Sequence, residues 1–419
     1  MKNKTNYVRF KLKYAIIALL VLSINALISQ VWVPQNSGTG SRLNSVWFRS
    51  QQIGFIGGIN EATLFTVNGG LNWTSRTVAN QDFNSVAFKT PLLGLMAGTN
   101  GTISRTTDGG LVWNSVNSGT GENLNTVSFG DSGIVYSAGT NGIILKSTDN
   151  GLHFASLDST KNLGSTTLKS SSVKGSSFAI FVGDAGKIIV TTNAGMTFQL
   201  QNSGTTRDLR SVFFLNNSTG YIAGKANILL FTSNGGINWV SRNSGMNVDS
   251  SDDGLHSVFF LNTLNGFAVG AHGMIFRTTN AGLNWISETS QTTKDLLSVY
   301  FVDENHGWTV GKEGTIRFRG SLTGVNNNQE IANIYNLEQN YPNPFNPTTR
   351  IRFELPASDF VTLKIYDIIG NEVSTLVNSN LASGHYDYQF DASNLSSGIY
   401  FYSLKTSHFI ETKKMTLVK

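Results

Sequence analysis

Thr66-Val67-Asn68-Gly69-Gly70-Leu71-Asn72-Trp73 is the first of six copies of one eight-residue pattern. The others are Thr106 to Trp113, Ser147 to Phe154, Thr191 to Phe198, Thr232 to Trp239 and Thr278 to Trp285. The pattern reads Ser/Thr, any, Asp/Asn, any, Gly, any, any, Trp/Phe. Its closing aromatics are spaced by 40, 41, 44, 41 and 46 residues. Periodicity at this length predicts a repeat architecture.

Each copy ends the third strand of a longer unit. About 25 residues before the aromatic lies an apolar strand, as in Leu43 to Phe48 or Leu209 to Phe214. A degraded version spans Leu168 to Val173, and a last one runs Leu297 to Phe301. A small-residue strand follows, ending at Gly58, Gly98, Gly139, Gly183, Gly224, Gly270 and Gly311. Short strands separated by Gly/Asn/Asp turns read as four-stranded antiparallel blades. The Asp or Asn of each box accepts hydrogen bonds from its own turn. The glycine two positions on tolerates positive φ, and the aromatic packs between sheets. We therefore assign a structural role to Asn68, Trp73, Asp108, Trp113, Asp149, Phe154, Asn193, Phe198, Asn234, Trp239, Asn280 and Trp285.

Seven glycine-ended strands against six boxes require an explanation. The last unit stops at Arg319-Gly320 without a box. An orphan segment, Trp32-Val33-Pro34-Gln35-Asn36-Ser37-Gly38, precedes the first unit and matches the fourth strands leading into Asn117-Ser118-Gly119 and Asn202-Ser203-Gly204. The expectation is an all-β, seven-bladed β-propeller over residues 31–320, closed by the N-terminal strand, with Trp32 as the seventh aromatic. Closure lets every blade bury both faces and protects strand edges.

The formal charge of +5 is concentrated at the start. Lys2, Lys4, Arg9, Lys11 and Lys13 precede the apolar run Tyr14 to Ile24, with no acid before residue 31. This is the form of a secretory signal peptide, expected over residues 1–29. Removing those five from the 31 Lys and Arg leaves 26, equal to the 26 Asp and Glu. A neutral mature chain gives no basis for nucleic-acid binding. With no Cys, the chain has neither disulfides nor thiolate chemistry.

Composition changes after Gly320. A polar linker over 321–336 leads into Asn340-Tyr341-Pro342-Asn343-Pro344-Phe345-Asn346-Pro347, which holds half of the six prolines and reads as stiff, extended chain. Alternating strands follow at Ile351 to Leu355, Val361 to Asp367, Tyr386 to Phe390, Ile399 to Leu404 and Glu411 to Val418, predicting a small Ig-like β-sandwich over 337–419. This proline-rich segment, Tyr366-Asp367-Ile368-Ile369-Gly370, Leu395-Ser396-Ser397-Gly398-Ile399-Tyr400-Phe401 and the ending Lys414 to Lys419 resemble the type A C-terminal sorting domain of the type IX secretion system. The resemblance implies a Bacteroidota-like bacterium, export across the outer membrane, partnership with that machinery, and a secreted or surface-attached product. Residues 31–320 resemble two groups: the Asp-box repeats of sialidases and sortilin-type propellers, and, over the fuller unit, the photosystem II assembly and stability-factor propellers. Fold likeness alone is a weak warrant for function.

Catalytic residues are not identifiable. Arg105, Arg277, Arg317 and Lys146 recur at one third-strand position, which repetition explains better than a carboxylate-gripping triad. Asp184, Glu313 and the acidic insertion Asp249-Ser250-Ser251-Asp252-Asp253 are the acids outside the boxes that a propeller-type glycoside hydrolase could use. The insertion lacks the spacing of a calcium loop, and no metal or cofactor is expected. Binding is expected on the face opposite the boxes, where the second-to-third turns break pattern at Asp184, Lys225, His272 and Lys312-Glu313, joined by Arg207 and Asp208. The leading expectation is a monomeric, secreted or cell-surface propeller that binds an extracellular protein or glycan. A polysaccharide hydrolase and a photosystem-type assembly factor are the alternatives.

Overall fold

The computed structural model describes residues 32–60, 62–76, 78, 81–157, 166–243, 245–246, 253–320, 335–356, 358–381 and 384–419. The expected signal peptide, most of the linker and most of the acidic insertion lie outside them. The chain divides into two compact units, a propeller and a C-terminal sandwich.

The propeller has seven four-stranded antiparallel sheets. Blades 1 to 6 use consecutive strands, starting at Leu43, Phe83, Leu124, Leu168, Leu209 and Leu255. Blade 7 takes Leu296–Asp303, His306–Gly311 and Ile316–Arg319 from the end of the ring and Trp32–Gln35 from its beginning. Trp32 pairs with Arg319 and Gln35 with Ile316, so the chain ends close the ring as the sequence implied.

The repeated Leu-x-Ser-Val-x-Phe strand is the innermost of each blade, and its positions have separate tasks. Position 1 is fully buried. A bulge between positions 1 and 3 in all seven blades turns the third side chain toward the next blade. There Ser45, Ser85, Thr126, Ser170, Ser211, Ser257 and Ser298 each accept a hydrogen bond from the position-4 N–H of the following blade, at 3.1–3.3 Å. The last bond, Val46 N to Ser298 Oγ, completes the circle. Positions 4 and 6 point into the inter-blade core. Blade 7 corrects the sequence reading by one residue. Leu296, not Leu297, takes the buried position, because Ser298 sets the register.

The position-6 ring explains two other repeated features. Phe48, Phe88, Phe214, Phe260 and Phe301 lie over the glycine opening the second strand, where a Cβ would approach the ring to 2.1–2.6 Å. The box aromatics Trp73, Trp113, Trp239 and Trp285 meet Phe48, Phe88, Phe214 and Phe260 edge-on at 5.7–6.1 Å. Trp32 meets Phe301 the same way at 5.8 Å, the geometry of a seventh box aromatic. In the degraded blade 4, Phe198 packs on Phe181 instead.

The boxes are self-contained turns. Asp108 Oδ1 accepts the Thr106 hydroxyl at 2.7 Å and the N–H groups of Leu111 and Val112, both at 3.0 Å. Gly110 N donates back to Thr106 Oγ1. Gly110 has φ +86°, and a Cβ there would meet the Phe55 ring at 2.3 Å, so only glycine fits. The third-strand cations bind neighbouring boxes: Arg105 Nε donates to Asn150 O and Lys146 Nζ to Ala194 O.

The C-terminal sandwich pairs a three-stranded sheet (Asn336–Leu337, Thr348–Leu355, Gly384–Asp391) with a four-stranded one (Glu372–Leu381, Asp359–Tyr366, Gly398–Lys405, Ile410–Leu417). Its core includes Phe345, Ile351, Phe353, Leu363, Tyr402 and Met415. The proline-rich segment clamps the last strand. Phe345 N donates to Thr416 O and Val418 N to Phe345 O. Asn343 Oδ1 accepts Thr416 N at 2.9 Å. The strand Glu372–Leu381 escapes sequence reading because two register shifts break its alternation.

Candidate functional site

The face opposite the boxes carries the second-to-third turns and the segments between blades. All seven turns share one backbone. Their middle residue, Asn60, Asn100, Asn141, Ala185, Ala226, His272 or Glu313, sits at φ +52° to +54°. The residue before the next blade caps the turn from its side chain: Asp82 for Asn60 N, Asn123 for Asn100 N, Asp208 for Ala185 N and Asp295 for His272 N, at 2.7–3.1 Å.

Asp208 therefore has a structural task besides the ligand role expected from sequence. Burial raises its pKa, but the Ala185 N–H and the ammonium groups of Lys169 and Lys225 outweigh that and hold it at about 2. Lys169 also pairs with Asp184, and Lys225 with Asp208 at 3.2 Å. Asp184, Asp208 and Lys225 are thus brought together on blades 4 and 5 around Lys169, which was not singled out from sequence. A second cluster spans blades 6 and 7. Lys312 pairs with Asp295 at 2.6 Å, Lys294 with Glu313 at 2.5 Å, and His272 Nε2 lies 3.8 Å from Asp253. Burial opposes ionisation of Asp295, but Lys312 and the His272 N–H keep its pKa low. Arg207 is exposed in the segment entering blade 5, its N–H on Thr205 Oγ1.

Between these clusters the channel opens into a pocket of about 450 Å³. Its wall is the position-2 ring of the innermost strands: Asn44, Asn84, Asn125, Lys169, Arg210, His256 and Leu297, with Arg42 at the rim. Sequence reading passed over this ring, although position 2 is one of the places where the repeats disagree. The asparagines form a ladder. Asn44 Nδ2 donates to Phe83 O and Asn84 Oδ1, Asn84 Nδ2 to Leu124 O, and Asn125 Nδ2 to Leu168 O, at 2.9–3.2 Å. The ladder starts at Asn44, whose buried Oδ1 has no donor because blade 7 supplies Leu297 there. Across the mouth, Arg210 Nη1 lies 3.3 and 3.4 Å from the ring nitrogens of His256 and donates to Asp253 O. Burial, then Arg210, holds the His256 pKa down at about 3, while Asp295 pulls the other way. His256 is neutral at physiological pH. The mouth joins a neutral amide half to a basic half.

Among the described residues the pocket lining contains no carboxylate, and Asp184 and Glu313 pair with Lys169 and Lys294 rather than facing each other. Among the described residues no group of three or more His, Asp or Glu converges on a metal-sized site.

A ring of seven blades with a lined channel defines a repeat propeller. Comparison with known proteins specifies the class. The family model for photosynthesis system II assembly factor YCF48 matches residues 80–212 and 197–291, together just over half of the chain. The chain belongs to this family. A secretion system C-terminal sorting domain matches residues 339–418, so the chain is exported by the type IX route to the outside or to the cell surface. No curated protein matches the sequence. Among solved structures, YCF48 bound to D1 peptide is similar at 17% identity and TM-score 0.58, covering 71% of this chain and 98% of its own. YCF48 from Cyanidioschyzon merolae is similar at 18% and 0.57, with 69% and 98% covered. The WD40 propeller domain of Doa1 is similar at 12% and 0.55, with 70% and 98% covered. At these identities the likeness concerns the fold.

Proposed function

We propose that the exported propeller is a binding module whose channel mouth takes an extended, carboxylate-bearing segment of an extracellular or surface protein. The observation that carries this is the bipartite mouth. An amide ladder on blades 1 to 3 faces Lys169 and Arg210 on blades 4 and 5, with Arg42 at the rim, around about 450 Å³. Arginine forks suit carboxylates, and amides suit peptide groups. One similar propeller is described as bound to a peptide, which supports a peptide over a glycan. The paired charges at Asp184, Asp208, Lys225, Lys312 and Glu313 frame the mouth and set its orientation toward a partner. Because the sorting domain sends this chain outside, its partner is a surface or extracellular protein rather than a photosystem subunit.

Photo-crosslinking from position 84 or 125 in surface-exposed protein tests the reading. Peptide adducts should form there and be lost on Arg42→Gln with Arg210→Gln, whereas a probe at Ile237 on the box face should yield none of them. Glycan adducts, or peptide adducts indifferent to both arginines, would refute it.

A further inference from the structure

The opposite end of the channel, on the box face, is lined by positions 5 and 7 of the same innermost strands, and its two walls differ in chemistry. On blades 5, 6, 7 and 1, position 5 is Phe213, Phe259, Tyr300 and Trp47. Successive ring centroids lie 5.1, 5.2 and 6.1 Å apart, an unbroken aromatic arc. All four are only partly buried, as expected for rings facing a lumen. On blades 2, 3 and 4 the same position holds Ala87, Ser128 and Ser172, which leaves the facing wall shallow.

At position 7, blades 5 to 7 carry Leu215, Leu261 and Val302, whereas blades 1, 2 and 4 carry the cations Arg49, Lys89 and Lys174. Lys89 Nζ is held by Asn150 Oδ1 of a neighbouring box at 3.0 Å. Lys174 Nζ sits 5.8 Å from the Phe213 centroid. It is partly buried, and among the described residues no carboxylate pairs with it. Burial lowers its pKa. A partly desolvated ammonium without a counter-charge is costly and is relieved by an anion. An apolar wall with a few placed polar groups is also the usual make-up of a small-molecule site.

We propose that this end of the channel binds a single-chain amphiphilic carboxylate, its apolar body against the aromatic arc and its carboxylate on Lys174. Charge complementarity selects the head group, and the aromatic and aliphatic wall selects the tail. The site is at the opposite end of the channel from the protein-binding mouth and does not depend on it.

Calorimetric titration of the full exported chain with laurate, 1-dodecanol and butyrate tests this. Laurate should bind, and 1-dodecanol at least tenfold more weakly, because it lacks the charge. Between butyrate and laurate each added methylene should tighten binding by up to about fourfold. Lys174→Gln, which keeps the stem against Phe213, should weaken laurate at least tenfold and leave 1-dodecanol unchanged. Ser172→Leu, which fills the shallow wall, should weaken both. Absence of laurate binding at millimolar concentration, equal affinity for laurate and 1-dodecanol, or laurate binding indifferent to Lys174→Gln would each overturn the proposal. The wild-type comparison alone decides if a variant fails to fold.

Discussion

Ring closure rests on a buried polar contact that can be measured against an internal control. Trp32 is fully buried, edge-on to Phe267 at 6.3 Å and Phe301 at 5.8 Å. Its Nε1 donates to Glu288 Oε2 at 2.8 Å, on the outer strand of blade 6. Arg319, 2% exposed, holds the same carboxylate through Nε at 3.1 Å and Nη2 at 3.2 Å, and stacks over Phe267. Trp113 is the counterpart without this contact. It also meets two rings edge-on, Phe55 and Phe88, but its buried Nε1 has no partner. Trp→Phe removes the same atoms at both sites. At Trp113 the loss is packing, about 1–2 kcal/mol for a partial truncation, offset by relief of an orphan N–H. At Trp32 the hydrogen bond to an ionised group adds about 1.5–3 kcal/mol. Trp32→Phe should therefore cost roughly 2 kcal/mol more than Trp113→Phe. That separates the propeller melting transitions by roughly 4–8 °C at the slope for large domains. Calorimetry of both variants checks this, and Trp32→Phe with Glu288→Gln should be less than additive. Equal shifts at the two tryptophans, or strict additivity, would refute a clasp through Glu288.

Three other outcomes follow from the geometry. His256 is held neutral with a pKa of about 3 against an ordinary value near 6.5, so the unfolded chain binds the extra proton; its share of stability is complete above pH 6.5 and declines as pH falls toward 3. Its imidazole resonances should not titrate between pH 8 and 5, and His256→Asn should flatten the acid limb of the melting curve. Tyr221 OH donates to Ala281 O at 3.2 Å, whereas Tyr136 OH is buried without a partner. Tyr221→Phe should cost about 1 kcal/mol in denaturant unfolding and Tyr136→Phe should be neutral or stabilising. Leu297→Asn extends the amide ladder to the donorless Asn44 Oδ1, and should raise stability by about 0.5–1 kcal/mol or leave it unchanged.

The sequence exposed what repeats. Blade number, closure by Trp32, the box turns and the sandwich with its stiff proline-rich entry all depend on local turn chemistry or on a fixed period. What it hid depends on register. The serine circle could not be read from Leu-x-Ser-Val-x-Phe, because a bulge decides that position 3 faces the next blade. Leu297 was misplaced for the same reason, since two adjacent leucines leave the register to Ser298. The charged turn residues were legible as departures from the repeat, but not their pairing. Lys169 and Asp295, which hold Asp184 and Lys312, lie across the hairpin between the first and second strands of the same blade, a proximity set by strand register rather than by the repeat.

That contrast also says where selection for a ligand can act. Positions 1, 3, 4 and 6 of the innermost strand carry closure, and changing them breaks staples or packing on both neighbours. Positions 2, 5 and 7 are not held to one residue type, although the asparagines at position 2 and the serines at position 5 also bond the next blade. There the seven repeats diverge: three amides, two cations, a neutral histidine and a leucine at one end, an aromatic arc opposite small residues at the other. A channel that only needed to be filled would be expected to keep the repeat. Its division into a polar and basic mouth and an amphipathic base, on strands otherwise held to one pattern, supports the proposed binding in the lumen rather than at the boxes that define the fold.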